Sequence, residues 1–421
     1  MSTLRKHILI VLLPLLLLTA RESAGYGVLT HQAIIDVAWD KSIVPALRQK
    51  FPKATEEELL TAYAHAYGGA IIQDMGYFPF GNTFFTDLTH YVRSGDFIEA
   101  LITESKTLHE YAFALGALAH YYADNYGHPI GTNVAVPMVY PDLKVKHGDT
   151  ITYEENPAAH VKMEFGFDVL QVARGNYASD AYRNFIGFEV SKEVLERAFL
   201  KTYGLELKSI FVSLELAITT FRYSVRNLIP DLTKAAWNLK AKEIQSSQPS
   251  MTRRNFHYRL RRAEFHKTWG REYEQPNLFQ RILSWLLRIL PKIGPSQTLA
   301  FKPPTPEAEK VFMESFNETS KRYNAALNRV AQGKQTFENK VLDTGEPSEP
   351  DAYTKTDETF AELLEKLAKN EFKHLTKPLK ETVLQYYQAM AKPKPTEKEE
   401  LEEWGKVQEN LQKLQQATVT N

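Results

Sequence analysis

The chain has 421 residues with 51 basic and 51 acidic side chains, so no net charge draws it as a whole to nucleic acid or an anionic membrane. Any such preference must come from a local patch. It contains no cysteine, which excludes a disulfide framework, a thiolate metal site and a thiol for lipid attachment. This length allows one large domain with a substantial core plus a second unit.

Residues 1–25 read as a secretory signal. Arg5, Lys6 and His7 form a cationic start, residues 8–18 are a short apolar run interrupted by Pro14, and Ser23-Ala24-Gly25 offers small residues for cleavage. The apolar run is too short to span a bilayer comfortably. An exported protein without disulfides needs another staple, and bound metal can serve. Cleavage after Gly25 would leave a free α-amino group on Tyr26, five residues before His31.

From residue 26 to about 240 the apolar spacing is mostly helical and predicts an all-α domain. Residues 32–40, 56–72, 101–125, 158–173, 192–202 and 205–227 carry apolar side chains at three- and four-residue steps. Residues 143–153, with Val145, Ile151 and the turn His147-Gly148-Asp149, are the best hairpin candidate. The aromatic stretch 76–85 contains Gly and Pro and reads as a loop, whose rings either wall a substrate pocket or pack in the core. Residues 241–305 form a basic, amphipathic and Pro-rich linker. Within it, 253–271 interleaves Arg and Lys with aromatic residues, and 278–290 has the narrow cationic stripe and wide apolar face of an interfacial helix. Beyond it, 306–332 and 357–391 read as amphipathic helices separated by an acidic, Pro-containing stretch. The tail from Pro393 is polar and helical at best in part.

Eight of the twelve histidines fall between His31 and His160. Two of them open helical clamps, His120-x-x-x-Asp124 and His160-x-x-x-Glu164. Residues four apart on a helix share a face, and imidazole nitrogen with carboxylate oxygen is a zinc donor set. His31, Asp74, His90 and His128 around these clamps supply ligands for more than one metal, which points to a zinc-dependent hydrolase. Asp87 is an alternative to Asp74, and His147 competes with His160; His65 and His109 read as core residues.

In order and spacing, Tyr26, His31, Asp74, His90, His120, Asp124, His128, His160 and Glu164 resemble the zinc-dependent phospholipase C family and the related fungal single-strand-specific zinc nucleases. The resemblance covers roughly residues 26–235. Its most specific parts are H-x-x-x-D followed closely by a histidine, then H-x-x-x-E. It implies a three-zinc site. Asp74, His90, His120 and one oxygen of Asp124 would hold the first ion, and His128, His160 and Glu164 the second. His31, the other oxygen of Asp124, and the amino nitrogen and carbonyl oxygen of residue 26 would hold the third. Asp74 would also orient or deprotonate the attacking water. The family begins with Trp where this chain has Tyr26, but backbone atoms do the binding there. Glu164 in place of Asp resembles the phospholipases more than the nucleases.

These features together predict an exported phospholipase C cleaving the glycerol–phosphate bond of phospholipids. A single-strand nuclease with the same metals is the first alternative, and a zinc-stabilised helical scaffold or membrane-binding module without turnover the second. The expected partner is a phospholipid; residues 253–290 read either as a transient membrane contact or as an ordinary amphipathic segment packed on the catalytic domain.

Overall fold

A computed structural model describes residues 27–174, 176, 188–247, 252–253, 301–390 and 398–420. Residues 1–26, including Tyr26 and the signal-like segment, lie outside the described residues, as does nearly all of the basic-aromatic run and the interfacial stretch 278–290. Among the described residues there is no strand; one isolated antiparallel bridge joins Lys340 to Pro347. No described helix is long and apolar enough to cross a membrane.

The chain enters through α1 (Val28–Ala38), passes a π turn (Trp39–Ile43) and continues as α2 (Val44–Lys50). Helix α3 (Glu56–Gly69) begins with a capping box: the Thr55 hydroxyl accepts the Glu58 N–H at 3.2 Å, and the Glu58 carboxylate accepts the Thr55 N–H at 2.8 Å. A 3-10 turn (Ile72–Tyr77) leads to α4 (Thr83–Tyr91), started by Asn82, whose Oδ1 accepts from Phe84 N–H at 2.9 Å. The stretch expected as a loop is therefore irregular only over 78–82, because Asn82 is a strong helix start that the aromatic composition masks. The segment expected as one helix over 101–125 is two, α5 (Ser94–Glu104) and α6 (Leu108–Gly127). Thr107 separates them, its hydroxyl accepting the Glu110 N–H at 3.2 Å.

Helix α6 is the axis of the molecule and is buried along nearly its whole length. It meets α3 at very short range. A Cβ on Gly69 would lie 1.9 Å from the Phe113 carbonyl oxygen, and one on Gly116 would lie 2.0 Å from that of Ala66. Only glycine permits this approach, which sets the depth at which the two helices cross.

After α6 a π turn (His128–Thr132) continues into α7 (Asn133–Val139) and α8 (Pro141–His147). The expected hairpin at 143–153 is not formed. Pro141 occupies the first turn of α8, Asp142 lies at its N-terminal end and Lys144, Lys146 and His147 at its C-terminal end, an arrangement suited to the helix dipole. Gly148, at φ 99°, stops the helix rather than turning a hairpin, and Val145 is exposed. There follow α9 (Pro157–Arg174), α10 (Lys192–Tyr203), α11 (Leu207–Ile210) and α12 (Leu214–Ser247).

Residues beyond 305 form α13 (Pro306–Ala331), α14 (Thr354–Lys369), α15 (Lys377–Ala389) and α16 (Lys398–Gln416). The polar tail is thus largely helical, burying Leu411 and Leu414. One continuous apolar core runs from Val28 through α6 to Phe312, Tyr323 and Leu327 of α13 and on to Leu414. Helix α13 lies along α6: the Tyr323 hydroxyl donates to Leu115 O at 2.9 Å, and Phe312 stacks on Phe167 of α9 at 4.3 Å.

Candidate metal centre

Helix α6 and the turn after it carry His120, Asp124 and His128 at successive four-residue steps, so all three lie on one buried face. Helix α9 repeats the device with His160, Glu164 and Asp168. His31 comes from the first turn of α1, Asp74 from the 3-10 turn and His90 from the last turn of α4. Each of these groups is at least 95 % buried.

Asp124 is the hub. Its Oδ1 faces His31 Nε2 at 3.5 Å and His128 Nε2 at 3.6 Å. Its Oδ2 faces His120 Nε2 at 3.0 Å and His90 Nε2 at 3.3 Å. Asp74 Oδ1 lies 3.5 Å from His90 Nε2. On the far side, Glu164 Oε1 lies 2.7 Å from His160 Nδ1 and 3.9 Å from His128 Nε2. Donor atoms of His31, His120 and Asp124 converge within 4.8 Å, as do those of Asp74, His90 and His120.

Backbone carbonyls assign the imidazole protons. A carbonyl oxygen only accepts, so His90 Nδ1–H donates to Thr86 O at 2.8 Å and His120 Nδ1–H to Ala70 O at 2.9 Å. In the neutral rings the two Nε2 lone pairs then face each other at 3.3 Å. Such a pair repels unless a proton or a cation stands between. Asn133 settles His160 in the same way. Its amide nitrogen donates to Asp343 O at 2.8 Å, so its Oδ1 accepts His160 Nε2–H at 2.7 Å. The Nδ1 lone pair of His160 is left aimed at the Glu164 carboxylate. Asp74 Oδ1, both Asp124 oxygens and His160 Nδ1 are buried without a hydrogen bond of good geometry. No Lys or Arg pairs with Asp74, Asp124 or Asp343 among the described residues. A buried carboxylate left in this way is costly, and a divalent cation offsets the cost.

Protonation follows the same pattern. Burial lifts the Asp124 carboxyl, but His120 and His128 overcome it and hold the group well below the carboxylate range. For His90 burial acts downward, yet Asp124 and Asp74 push the ring up to about 10. Burial, with His128 nearby, pulls His160 down to about 3, and burial with His120 pulls His31 well below its usual value. His31 lies flat on the His120 ring, with centroids 4.3 Å apart. Asp74 is raised by burial against the pull of His120 and His90.

The start of α1 is pinned from α9. Asp168 accepts the N–H groups of Leu29 and Thr30 at 3.0 Å each and the Thr30 hydroxyl at 2.7 Å. A Cβ on Gly27 would lie 2.3 Å from the Asp168 carboxyl carbon, so a larger residue there would push the Asp168 carboxylate off the start of α1. Residue 27 is thereby held one helical turn from His31. Burial pushes the Asp168 carboxyl up to about 7.

Asp74, not Asp87, stands among His90 and His120. Burial lifts Asp87 to about 6, against the opposing pull of Lys355 and His90. His147 is outside the cluster, 3.7 Å from Glu155. His65 and His109 stack on each other at 4.9 Å in a separate place, His65 bonded to the Ser191 hydroxyl at 2.8 Å.

Asp343 is the residue that sequence reasoning missed. It lies between α13 and α14, 215 residues along the chain from His128, yet its Oδ1 accepts His128 Nδ1–H at 3.0 Å. Donor atoms of His128, His160 and Asp343 converge as a third group. Nothing in the acidic, Pro-containing stretch around it carries a ligand spacing.

Residues 30–211 match the family model described as zinc dependent phospholipase C. No curated protein and no solved structure matches the chain.

Proposed function

Residues 30–211 belong to the zinc-dependent phospholipase C family, and on that premise we propose that the chain is an exported zinc phosphodiesterase cleaving the glycerol–phosphate bond of phospholipids. The observation that carries the reading is the division of Asp124: one oxygen toward His31 and His128, the other toward His90 and His120. Only a carboxylate can serve two cations this way, and a centre with several cations suits phosphoryl transfer.

The donor set is imidazole and carboxylate throughout, which fits zinc. Asp74, His90, His120 and Asp124 would hold one ion, His128, His160 and Glu164 a second, and His31 with Asp124 and the backbone of Tyr26 a third. Zinc bound there supplies Lewis acidity toward a phosphoryl oxygen and brings the pKa of water toward neutrality. In this reading Asp74, which has a buried oxygen with no hydrogen bond, accepts a proton from the attacking water and aims that water at phosphorus. The carbonyls of Thr86 and Ala70 keep the Nε2 atoms of His90 and His120 pointed inward through the reaction. Contact with the membrane surface would come through residues 253–290.

Elemental analysis of the secreted, N-terminally sequenced protein is expected to give about three zinc ions per chain. Wild type should release diacylglycerol from phosphatidylcholine vesicles, and Asp74→Asn should retain metal while losing roughly 10²–10⁴-fold in rate. Nucleotides released from single-stranded DNA, without diacylglycerol, would give the nuclease reading. Wild type and variant equally inert on both would give the scaffold reading. Deleting residues 251–292 should abolish co-sedimentation with liposomes, and unchanged binding would remove the membrane contact.

A further inference from the structure

We propose that Asp343 is a positioning residue for the metal centre, delivered from beyond the family-matched region, its carboxylate fixing His128 directly and its backbone carbonyl fixing His160 through Asn133. The inference rests on the zinc reading above and adds to it a part of the chain that the family match, ending at residue 211, does not cover.

Both carboxylate oxygens of Asp343 are engaged by donors, one on Oδ1 and two on Oδ2. Oδ1 takes His128 Nδ1–H at 3.0 Å, and Oδ2 takes the Tyr153 N–H at 2.9 Å and the Tyr353 hydroxyl at 2.8 Å. The side chain is 2 % exposed. Its hydrogen bond fixes the His128 tautomer, so Nε2 presents its lone pair toward Asp124 and Glu164. The backbone carbonyl of Asp343 orients Asn133, and Asn133 in turn leaves His160 Nδ1 for Glu164. One residue therefore sets the proton of both imidazoles on this side of the cluster. A carboxylate behind a metal-binding imidazole also raises the basicity of the ring, and losing such a partner typically costs 10–100-fold in metal affinity.

The segment around it is held by the ligand-bearing elements themselves. Leu342 N–H donates to the carbonyl of His90 at 3.0 Å, and the Tyr121 hydroxyl, on α6 beside His120, donates to Glu338 O at 2.7 Å. Ser94 Oγ bonds both the carbonyl and the amide of Lys340, at 2.7 and 3.0 Å. Asp343 thus reaches His128 from a backbone tied to α4, α5 and α6, which is the rigidity an orienting group needs.

The test uses the full-length, metal-loaded protein. Zinc affinities are measured by chelator competition, and the cobalt-substituted protein is followed by visible absorption, for wild type, Asp343→Asn, Asp343→Ala and Tyr353→Phe. Asp343→Asn keeps an acceptor and should weaken one ion of the set about 10-fold; Asp343→Ala should approach about 100-fold. Both should shift the cobalt spectrum, with Tyr353→Phe in between wild type and Asp343→Asn. Variants that unfold at lower temperature but bind every ion with wild-type affinity and an unchanged cobalt spectrum would overturn the proposal, leaving Asp343 a packing residue. If Asp343→Ala does not fold, Asp343→Asn and Tyr353→Phe decide by the same two readouts. A wild type that binds no metal at all would instead overturn the proposed function, and this inference with it.

Discussion

Asp124 touches four imidazoles with two oxygens, so its charge matters more than its volume. Asp124→Asn keeps the shape and removes the charge. It is expected to cut the zinc content to about one ion per chain, whereas Asp87→Asn, outside the cluster, should leave it unchanged; elemental analysis of the two proteins checks both. His65 gives a separate pH signature because it is no part of the centre. Burial, with His109 and Arg222 nearby, pulls its ring from 6.5 down to about 3. In the unfolded chain it takes up a proton below pH 6.5, and in the folded chain it does not until about pH 3. Stability associated with His65 is therefore intact above pH 6.5 and is lost as the pH falls toward 3. At pH 5 the loss is about 2 kcal/mol. His65→Gln should flatten this limb, so denaturant unfolding at pH 7.5 and pH 5 should show a smaller difference for the variant than for wild type. Equal differences would mean that His65 is protonated in the folded protein.

The contact of α3 with α6 links packing to the site at the next scale. Ala70, at the end of α3, supplies the carbonyl that orients His120, and the glycines at 69 and 116 let the helices come close enough for that bond. A methyl group at either position meets a backbone oxygen near 2 Å, where neither side can yield cheaply. Gly116→Ala should destabilise by about 1–3 kcal/mol, the usual cost of overpacking. It should also weaken zinc at the position shared by His90 and His120. Thermal unfolding and chelator competition on the same preparation check the coupling: a lower melting temperature with unaltered affinity would show that His120 is held independently of helix spacing.

The whole molecule joins what the linear reading separates. Phe312, Tyr323, Leu327 and Val330 of α13 are buried in the same core as α6. At about 1.5–3 kcal/mol each they amount to roughly 6–12 kcal/mol, comparable with the entire net stability of a domain at about 5–15 kcal/mol. Ending the chain at residue 247 is therefore expected to give a protein without cooperative unfolding, and without Asp343 behind His128. Circular dichroism on heating and metal content would check this. A fragment that melts cooperatively with its full zinc complement would show that the C-terminal helices only decorate the site.

Helical periodicity and the four-residue steps of His120, Asp124, His160 and Glu164 made the all-α class and the heart of the cluster legible in the sequence, because both depend on local geometry: residues four apart share a face wherever a helix forms. Helix ends were less legible. Thr107 divides one expected helix into two, and Pro141 turns an expected hairpin into a helix, each through a single cap or a fixed φ that apolar spacing does not register. Tertiary structure alone selected Asp74 over Asp87, packed α13 along α6 and brought Asp343 to His128. Those choices join residues tens to hundreds of positions apart, and no local periodicity records which of two carboxylates, or which distant segment, a folded core will place beside an imidazole.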